Sequence, residues 1–196
     1  MTVRLRQVTS IRKPARLSLV IKKLSIAAMA LLLTGLTLQN AAAAGERVVS
    51  KYTSTERAHS ISFKDHGDVP EGGFEALFPG FGGYQLLHLS GDERSWINIR
   101  YGKTTVDLYA ATMKKGPGAF PHKENDVVEW RGVEKDGRFT PYAIIYRLAG
   151  HDGEWNHKTR LIVIKLDKGR SAVIGHAEGA KEDAEAKQIA DRLRPR

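Results

Sequence analysis

The chain has 196 residues, no cysteine and a formal net charge of +9. The lack of cysteine excludes disulfides, thiol catalysis, cysteine-ligated zinc and iron–sulfur clusters. The charge is uneven, since residues 1–44 hold seven Lys/Arg and no acid, leaving 24 basic and 22 acidic residues in 45–196. A net charge of +2 gives that part no basic surplus, so we expect no nucleic-acid partner.

Residues 1–44 have the three parts of a secretory signal peptide: a basic start, an uncharged apolar stretch at Ser25–Leu38, and a small-residue end of four alanines. A retained membrane anchor is the alternative, but the apolar run spans about 14 residues and a membrane-spanning helix needs about 20. We therefore expect Sec-dependent export with cleavage near Ala44–Gly45. The product would be a periplasmic or secreted protein with no stable membrane anchor and a single domain over 45–196.

The beginning of 45–196 carries weak strand patterns and a glycine-rich passage. Arg47–Tyr52 and Ala58–Phe63 are compatible with extended structure. Gly67–Gly83 is rich in glycine and proline, which predicts a long structured loop with one short helical turn at Phe74–Phe78.

From residue 84 onward the alternation typical of strands is clearer, and it predicts several hairpins. In Trp96–Tyr101, three apolar side chains alternate with Trp96, Asn98 and Arg100, which share the other face. A connection is predicted at Met113–Asn125, where glycine and proline interrupt the pattern. The predicted strands are Tyr84–Ser90, Trp96–Tyr101, Thr104–Ala110, Val127–Val133, Phe139–Leu148, Arg160–Leu166 and Ser171–Ala177.

The C-terminal stretch Ala180–Leu193 differs, because Ala186, Ile189, Ala190 and Leu193 recur at helical spacing. Such a narrow face of small side chains is typical of a helix that packs against a sheet. The predicted fold class is therefore α+β: an antiparallel β-sheet of about six to eight strands with one C-terminal amphipathic helix packed on it.

Three segments carry a resemblance to a known family: FPGFGGYQLLHLSGDERSWINIRYG, VVEWRGV followed by RFTPYAIIYRL, and SAVIGHAEGAKEDAEAKQIADRL. They resemble an uncharacterised family of exported alphaproteobacterial proteins. The resemblance spans most of residues 74–193 and implies a Gram-negative periplasm, but it brings no activity. In this resemblance, relatives carry cysteines where this chain has Phe78 and Ala172. The resemblance therefore implies that these two residues are neighbours here, a large and a small side chain in place of a disulfide.

Histidines and acids provide candidate ligands for Zn or Cu, because neutral imidazole is the commonest protein metal ligand. One group, His151, Asp152 and His157, falls in a predicted loop, and His66 and Asp68 form a second pair. His176 lies in a predicted strand. The spacing does not match a zinc signature such as HExxH. A metal site would need at least three of these side chains to converge, each donor roughly 2 Å from one ion.

No sequence motif indicates catalysis: there is neither a GxSxG elbow nor a phosphate-binding loop. The favoured interpretation is a non-enzymatic periplasmic domain without a cofactor, which binds an unknown protein, peptide or glycan. Trp96, Asn98 and Arg100 form the candidate binding surface, on the sheet face opposite the one that the helix would cover. The alternative is a His-rich protein that binds Zn or Cu.

Overall fold

Ten antiparallel strands form two five-stranded sheets in the computed structural model, which describes residues 45–67 and 72–195. The predicted signal peptide and Asp68 lie outside these residues. The strands are β1 Arg47–Ser54, β2 Ser62–Asp65, β3 Gly73–Pro79, β4 Tyr84–Gly91, β5 Arg94–Tyr101, β6 Thr104–Val106, β7 Ala119–Lys135, β8 Arg138–His151, β9 His157–Lys165 and β10 Ala172–Ala177. Two helices accompany them, α1 Tyr109–Lys115 and α2 Glu182–Asp191.

Each sheet is built mainly from strands that follow one another along the chain. The second sheet has the order β2-β3-β4-β5-β6, and the first has the order β1-β7-β8-β9-β10. Only β1 departs from this rule, since it pairs with β7 from Arg47 opposite Glu134 to Ser54 opposite Val127. From Arg47 onward, the chain thus forms one strand of the first sheet, then the whole second sheet, and then the remaining strands of the first sheet.

The main core lies between the two sheets. Leu86, Ile97 and Ile99 face it from the second sheet, and Trp130 and Ile144 face it from the first, all with essentially no exposed surface. Burying one large apolar side chain contributes about 1.5–3 kcal/mol to stability, so these inward-facing side chains hold the two sheets together.

The part of the first sheet around β8 and β9 is buried on both faces, because α2 covers its outer side. Along β8, Ile144 and Tyr146 point between the sheets while Tyr142 and Ile145 pack toward α2. Ala186 and Ala190 of α2 are fully buried there, and such small side chains let the helix approach the sheet closely. None of the helices in 45–67 and 72–195 is both long enough and apolar enough to cross a lipid bilayer.

A polar clamp fastens the C-terminal end of α2 to the first sheet. Arg131 donates to both carboxylate oxygens of Asp191, from Nε at 3.0 Å and from Nη2 at 2.6 Å. Tyr142 also donates its hydroxyl hydrogen to Asp191 Oδ1 at 2.6 Å. Burial raises the pKa of Asp191, but the bonds from Arg131 and Tyr142 outweigh it, so the pKa lies below the usual value. An acid at a helix C-terminus opposes the helix dipole, so tertiary bonds account for its position.

We expect Asp191→Ala to lower the free energy of unfolding by about 2–3 kcal/mol, because hydrogen bonds to a charged group are lost and Arg131 is left unpaired. Urea denaturation followed by circular dichroism measures this. Glu185→Ala, which removes an exposed acid from the first turn of the same helix, is the matched control, with a change within about 0.5 kcal/mol. Equal midpoints for the two variants would contradict the clamp.

The α+β class and the antiparallel pairing are observed, but the prediction of one sheet with six to eight strands is wrong. The glycine-rich passage also contains a central strand, β3, rather than a loop with a helical turn. Ala76 and Phe78 of β3 are buried between the sheets, and the glycines flank the strand rather than interrupt it. At Gly73 a Cβ would lie 2.0 Å from the carbonyl oxygen of Ser90, so only glycine permits this strand contact.

Four further segments differ from the predictions. The strand predicted at Thr104–Ala110 ends at Val106 and is followed by α1. The predicted connection Met113–Asn125 instead contains the end of α1 and the start of β7. Where extended structure is predicted at Ala58–Phe63, a 3-10 turn at Arg57–His59 precedes β2. The helix predicted at Ala180–Leu193 is shorter, spanning Glu182–Asp191.

Phe78 and Ala172, which the resemblance predicts to be neighbours, lie on strands of different sheets, β3 and β10. Phe78 is fully buried in the core between the sheets. Ala172 is exposed at the start of β10, an edge strand of the other sheet, and is not part of that core. Phe78 therefore packs as an ordinary core residue.

Candidate binding groove

A surface groove of about 580 Å³ lies on the second sheet, on the face turned away from the core. Residues of β4 and β5 form part of it, and the segment before α1 forms another part. We call it the aromatic groove. Its lining includes His66, Leu89, Asp92, Trp96, Asn98, Asp107 and Tyr109.

Two aromatic rings are the main apolar feature of the groove. Trp96 points outward because its neighbours Ser95 and Ile97 take the opposite side of β5, with Ile97 in the core. The Tyr109 ring meets the Trp96 ring edge to face, with centroids 4.6 Å apart. Trp96 is half-buried and Tyr109 is 38% exposed, so both rings remain partly open to solvent. Such rings supply flat apolar surface to a bound molecule.

Asn98 and Asp107 set the position of Tyr109. Asn98 Oδ1 accepts a hydrogen bond from the Leu108 amide at 2.8 Å, and Asp107 Oδ1 accepts one from the Tyr109 amide at 3.0 Å. Leu108 is itself buried in the core, which anchors the segment between them. These bonds turn the chain from β6 into α1 and bring Tyr109 over Trp96.

The structure places the three predicted binding residues as follows. Trp96 and Asn98 line the aromatic groove, although Asn98 is only 7% exposed and its oxygen is occupied by the Leu108 amide. Arg100 shares their face by strand alternation but does not line the groove, and its Nε donates to the Gly102 carbonyl oxygen at 3.3 Å. The predicted helix covers the other sheet, so it leaves this face uncovered.

The charge of the groove limits its ligands. Asp92 and Asp107 supply carboxylates, while no Lys or Arg is among the described residues that line it. Asp92 forms an ion pair with Arg94, and Asp107 is bonded to the Tyr109 amide. This lining suits neutral polar or cationic molecules with an apolar face and disfavours anions.

Within 45–67 and 72–195, the predicted metal ligands do not form a group of three. His151 and His157 lie near each other with ring centroids 6.5 Å apart, but Asp152 serves the turn between them. Its Oδ1 accepts from the backbone amides of Glu154 and Asn156, both at 2.9 Å. The Asn156 amide is the largest cause that lowers the pKa of Asp152 to about 2. Asp152 is therefore a turn-stabilising residue in this structure.

The other candidate ligands lie elsewhere. His66 borders the aromatic groove, and His176 lies on β10, where burial lowers its pKa and the charges of Arg160 and Lys115 add to this effect. Asp68 is outside the described residues. Across 45–67 and 72–195, no three His, Asp or Glu side chains are arranged to hold a metal ion.

A buried titratable pair faces the core rather than the groove. His88 points between the sheets from β4, and burial lowers its pKa to about 4. Burial also lowers the pKa of Lys123, on the first part of β7, to about 8. Lys123 Nζ lies 3.6 Å from Asp126 Oδ1, and its backbone amide donates to Ser95 Oγ at 2.7 Å. This pair influences stability, and it does not border the aromatic groove.

Sequence reasoning found Trp96 but missed Tyr109, Asp107 and Leu89. Tyr109 lies in a segment predicted as a strand, so its contact with Trp96 could not be predicted. Asp107 and Leu108 turn the chain at this point. Asp107 is a local indication of this turn, because an Asp that accepts a hydrogen bond from the amide two residues later is typical of turns.

No protein-family model, curated protein or solved structure matches this chain.

Proposed function

We propose that residues 45–196 form a non-enzymatic binding domain whose ligand lies in the aromatic groove. The observation that carries this proposal is the pair of partly exposed rings, Trp96 and Tyr109, beside two carboxylates on an uncovered sheet face. A concave site with apolar rings and a few polar groups is the usual form of a small-molecule site. The ligand would stack on the rings and donate hydrogen bonds to Asp92 and Asp107.

We also propose that the domain works in the periplasm or outside the cell. This part rests on the sequence of residues 1–44 and on the resemblance to exported proteins.

The groove is tested by titrating small polyol, aromatic and cationic fragments into the ¹⁵N-labelled protein and following amide shifts by NMR. We expect the shifts to cluster at Ser90, Trp96 and Tyr109. Trp96→Ala should weaken fragment binding about tenfold or more, since stacking on an aromatic ring contributes roughly 0.5–1.5 kcal/mol beyond burial.

Tyr52→Ala is the matched control, because Tyr52 is 57% exposed but lies on β1 of the other sheet. This variant should bind as the wild type does. Thermal melting of Trp96→Ala verifies that the variant is folded. Shifts that cluster away from the groove, or no response to any fragment, would refute the proposal.

A further inference from the structure

A second group of aromatic side chains lies near the turn between β8 and β9. Trp155 stacks on Phe120, with ring centroids 6.2 Å apart and planes 18° from parallel. Trp155 is 68% exposed, the highest value among the exposed large hydrophobic side chains described. A tryptophan so exposed adds little to the core, and together with the partly exposed Phe120 it forms an apolar surface of the kind that marks interaction sites.

The backbone holds both rings in unusual conformations. Phe120 has φ +48° and Trp155 has φ +63°, values that bulky L-residues rarely adopt. Such residues cost about 1–3 kcal/mol each and cluster at binding sites. The turn keeps Trp155 in place, because its amide donates to the Asp152 carbonyl oxygen at 3.0 Å, and the amides of Glu154 and Asn156 on either side of it donate to the Asp152 carboxylate.

A chain of contacts joins this pair to the aromatic groove. Asp92 lines the groove and forms an ion pair with Arg94. The guanidinium carbon of Arg94 lies 4.8 Å from the centroid of the Phe120 ring, which in turn stacks on Trp155. The surface therefore has two aromatic stations, Trp96–Tyr109 and Phe120–Trp155, with a polar bridge between them.

We infer that the ligand is a linear, uncharged oligosaccharide that occupies both stations. Sugar rings present apolar C–H faces that stack on aromatic rings, and their hydroxyl groups donate to carboxylates such as Asp92 and Asp107. The repeated sugar unit matches two stacking stations. The described lining of the groove has no Lys or Arg, and Arg94 of the bridge is paired with Asp92, so the charges along this surface match a neutral chain. This inference rests on the proposed function of the groove.

The test measures binding of β-1,4-linked glucose and N-acetylglucosamine oligomers, from disaccharide to hexasaccharide, by calorimetry on the full chain. Affinity in one series should rise with length, because a longer oligomer can contact Trp155 as well as the rings of the groove. Trp155→Ala should weaken hexasaccharide binding about tenfold and leave disaccharide binding unchanged. Trp155→Phe, which keeps a stacking ring, should retain most of the affinity, and Trp96→Ala should weaken both ligands.

Three results would overturn the inference. If Trp155→Ala leaves the hexasaccharide affinity unchanged, Trp155 is not part of the binding site, while the proposed role of the aromatic groove still stands. Fragments that bind the groove while no oligosaccharide binds would refute the sugar class and leave the proposed function standing. Trp155-dependent binding of a random decapeptide library without sugar binding would assign the surface to a peptide instead.

Discussion

Trp130→Ala is expected to lower the free energy of unfolding by about 3–5 kcal/mol, the range for removing a buried aromatic side chain from a core. Trp130 has no exposed surface and lies between the sheets. Its ring meets Phe81 edge to face at 5.6 Å, and its Nε1 donates to Thr53 Oγ1 at 2.8 Å. The substitution therefore leaves a cavity and an unpaired hydroxyl. Urea denaturation followed by circular dichroism measures the loss.

Two variants make this result specific. Trp130→Phe keeps a ring in the core and should cost clearly less than Trp130→Ala. Trp155→Ala removes the same side chain from an exposed position, so its stability should change by no more than about 0.5 kcal/mol. Similar losses at positions 130 and 155 would contradict the buried position of Trp130 between the sheets.

The second large effect is a loss of stability in acid that depends on His88. Burial lowers the pKa of His88 to about 4 from an ordinary value of 6.5, and the charge of Lys123 acts in the same direction while that of Asp126 opposes it. Between these two pH values the unfolded chain binds a proton that the folded chain does not bind. The contribution of His88 to the free energy of unfolding is therefore fully present above pH 6.5, and it is lost as the pH drops toward 4. The pKa difference corresponds to about 3 kcal/mol.

The measurement compares urea denaturation at several pH values between 4 and 7 for wild type and His88→Leu. Leucine cannot titrate, so the variant should have a flatter pH dependence over this range. Other groups with lowered pKa, such as Asp191, titrate in both proteins and cancel in the comparison. His59→Leu, at an exposed position in the 3-10 turn, is the control and should keep the wild-type slope. Parallel curves for wild type and His88→Leu would contradict the buried-histidine effect.

Much of the local structure follows from alternation in the sequence, and the failures have a common cause. In β5 the order of apolar and polar side chains predicted both the strand and its two faces. The alternation of apolar and polar side chains does not indicate which sheet a strand joins, so the division into two sheets could not be predicted from it. β3 was missed because glycine and proline at both ends concealed the inward-facing Ala76 and Phe78.

Part of the aromatic groove could likewise be predicted from the strand pattern. Trp96 and Asn98 were placed on one face by the strand pattern, and both line the groove. The contact with Tyr109 depends on a turn that follows β6, and the stacking of Phe120 on Trp155 joins residues 35 positions apart in sequence. Contacts of this kind depend on how strands far apart in the sequence are assembled, which periodicity does not contain.

The pairing of β1 with β7 has a consequence for the order in which the chain folds. The Arg47–Glu134 ion pair spans 87 positions, whereas the strands of the second sheet join neighbouring segments. Contacts so distant in sequence form slowly, because a long loop must close before they are made. We expect the second sheet to form early and β1 to remain without a partner until β7 has been synthesised. During that interval β1 offers free amides and carbonyls to any other strand, so prompt arrival of β7 protects the chain from self-association.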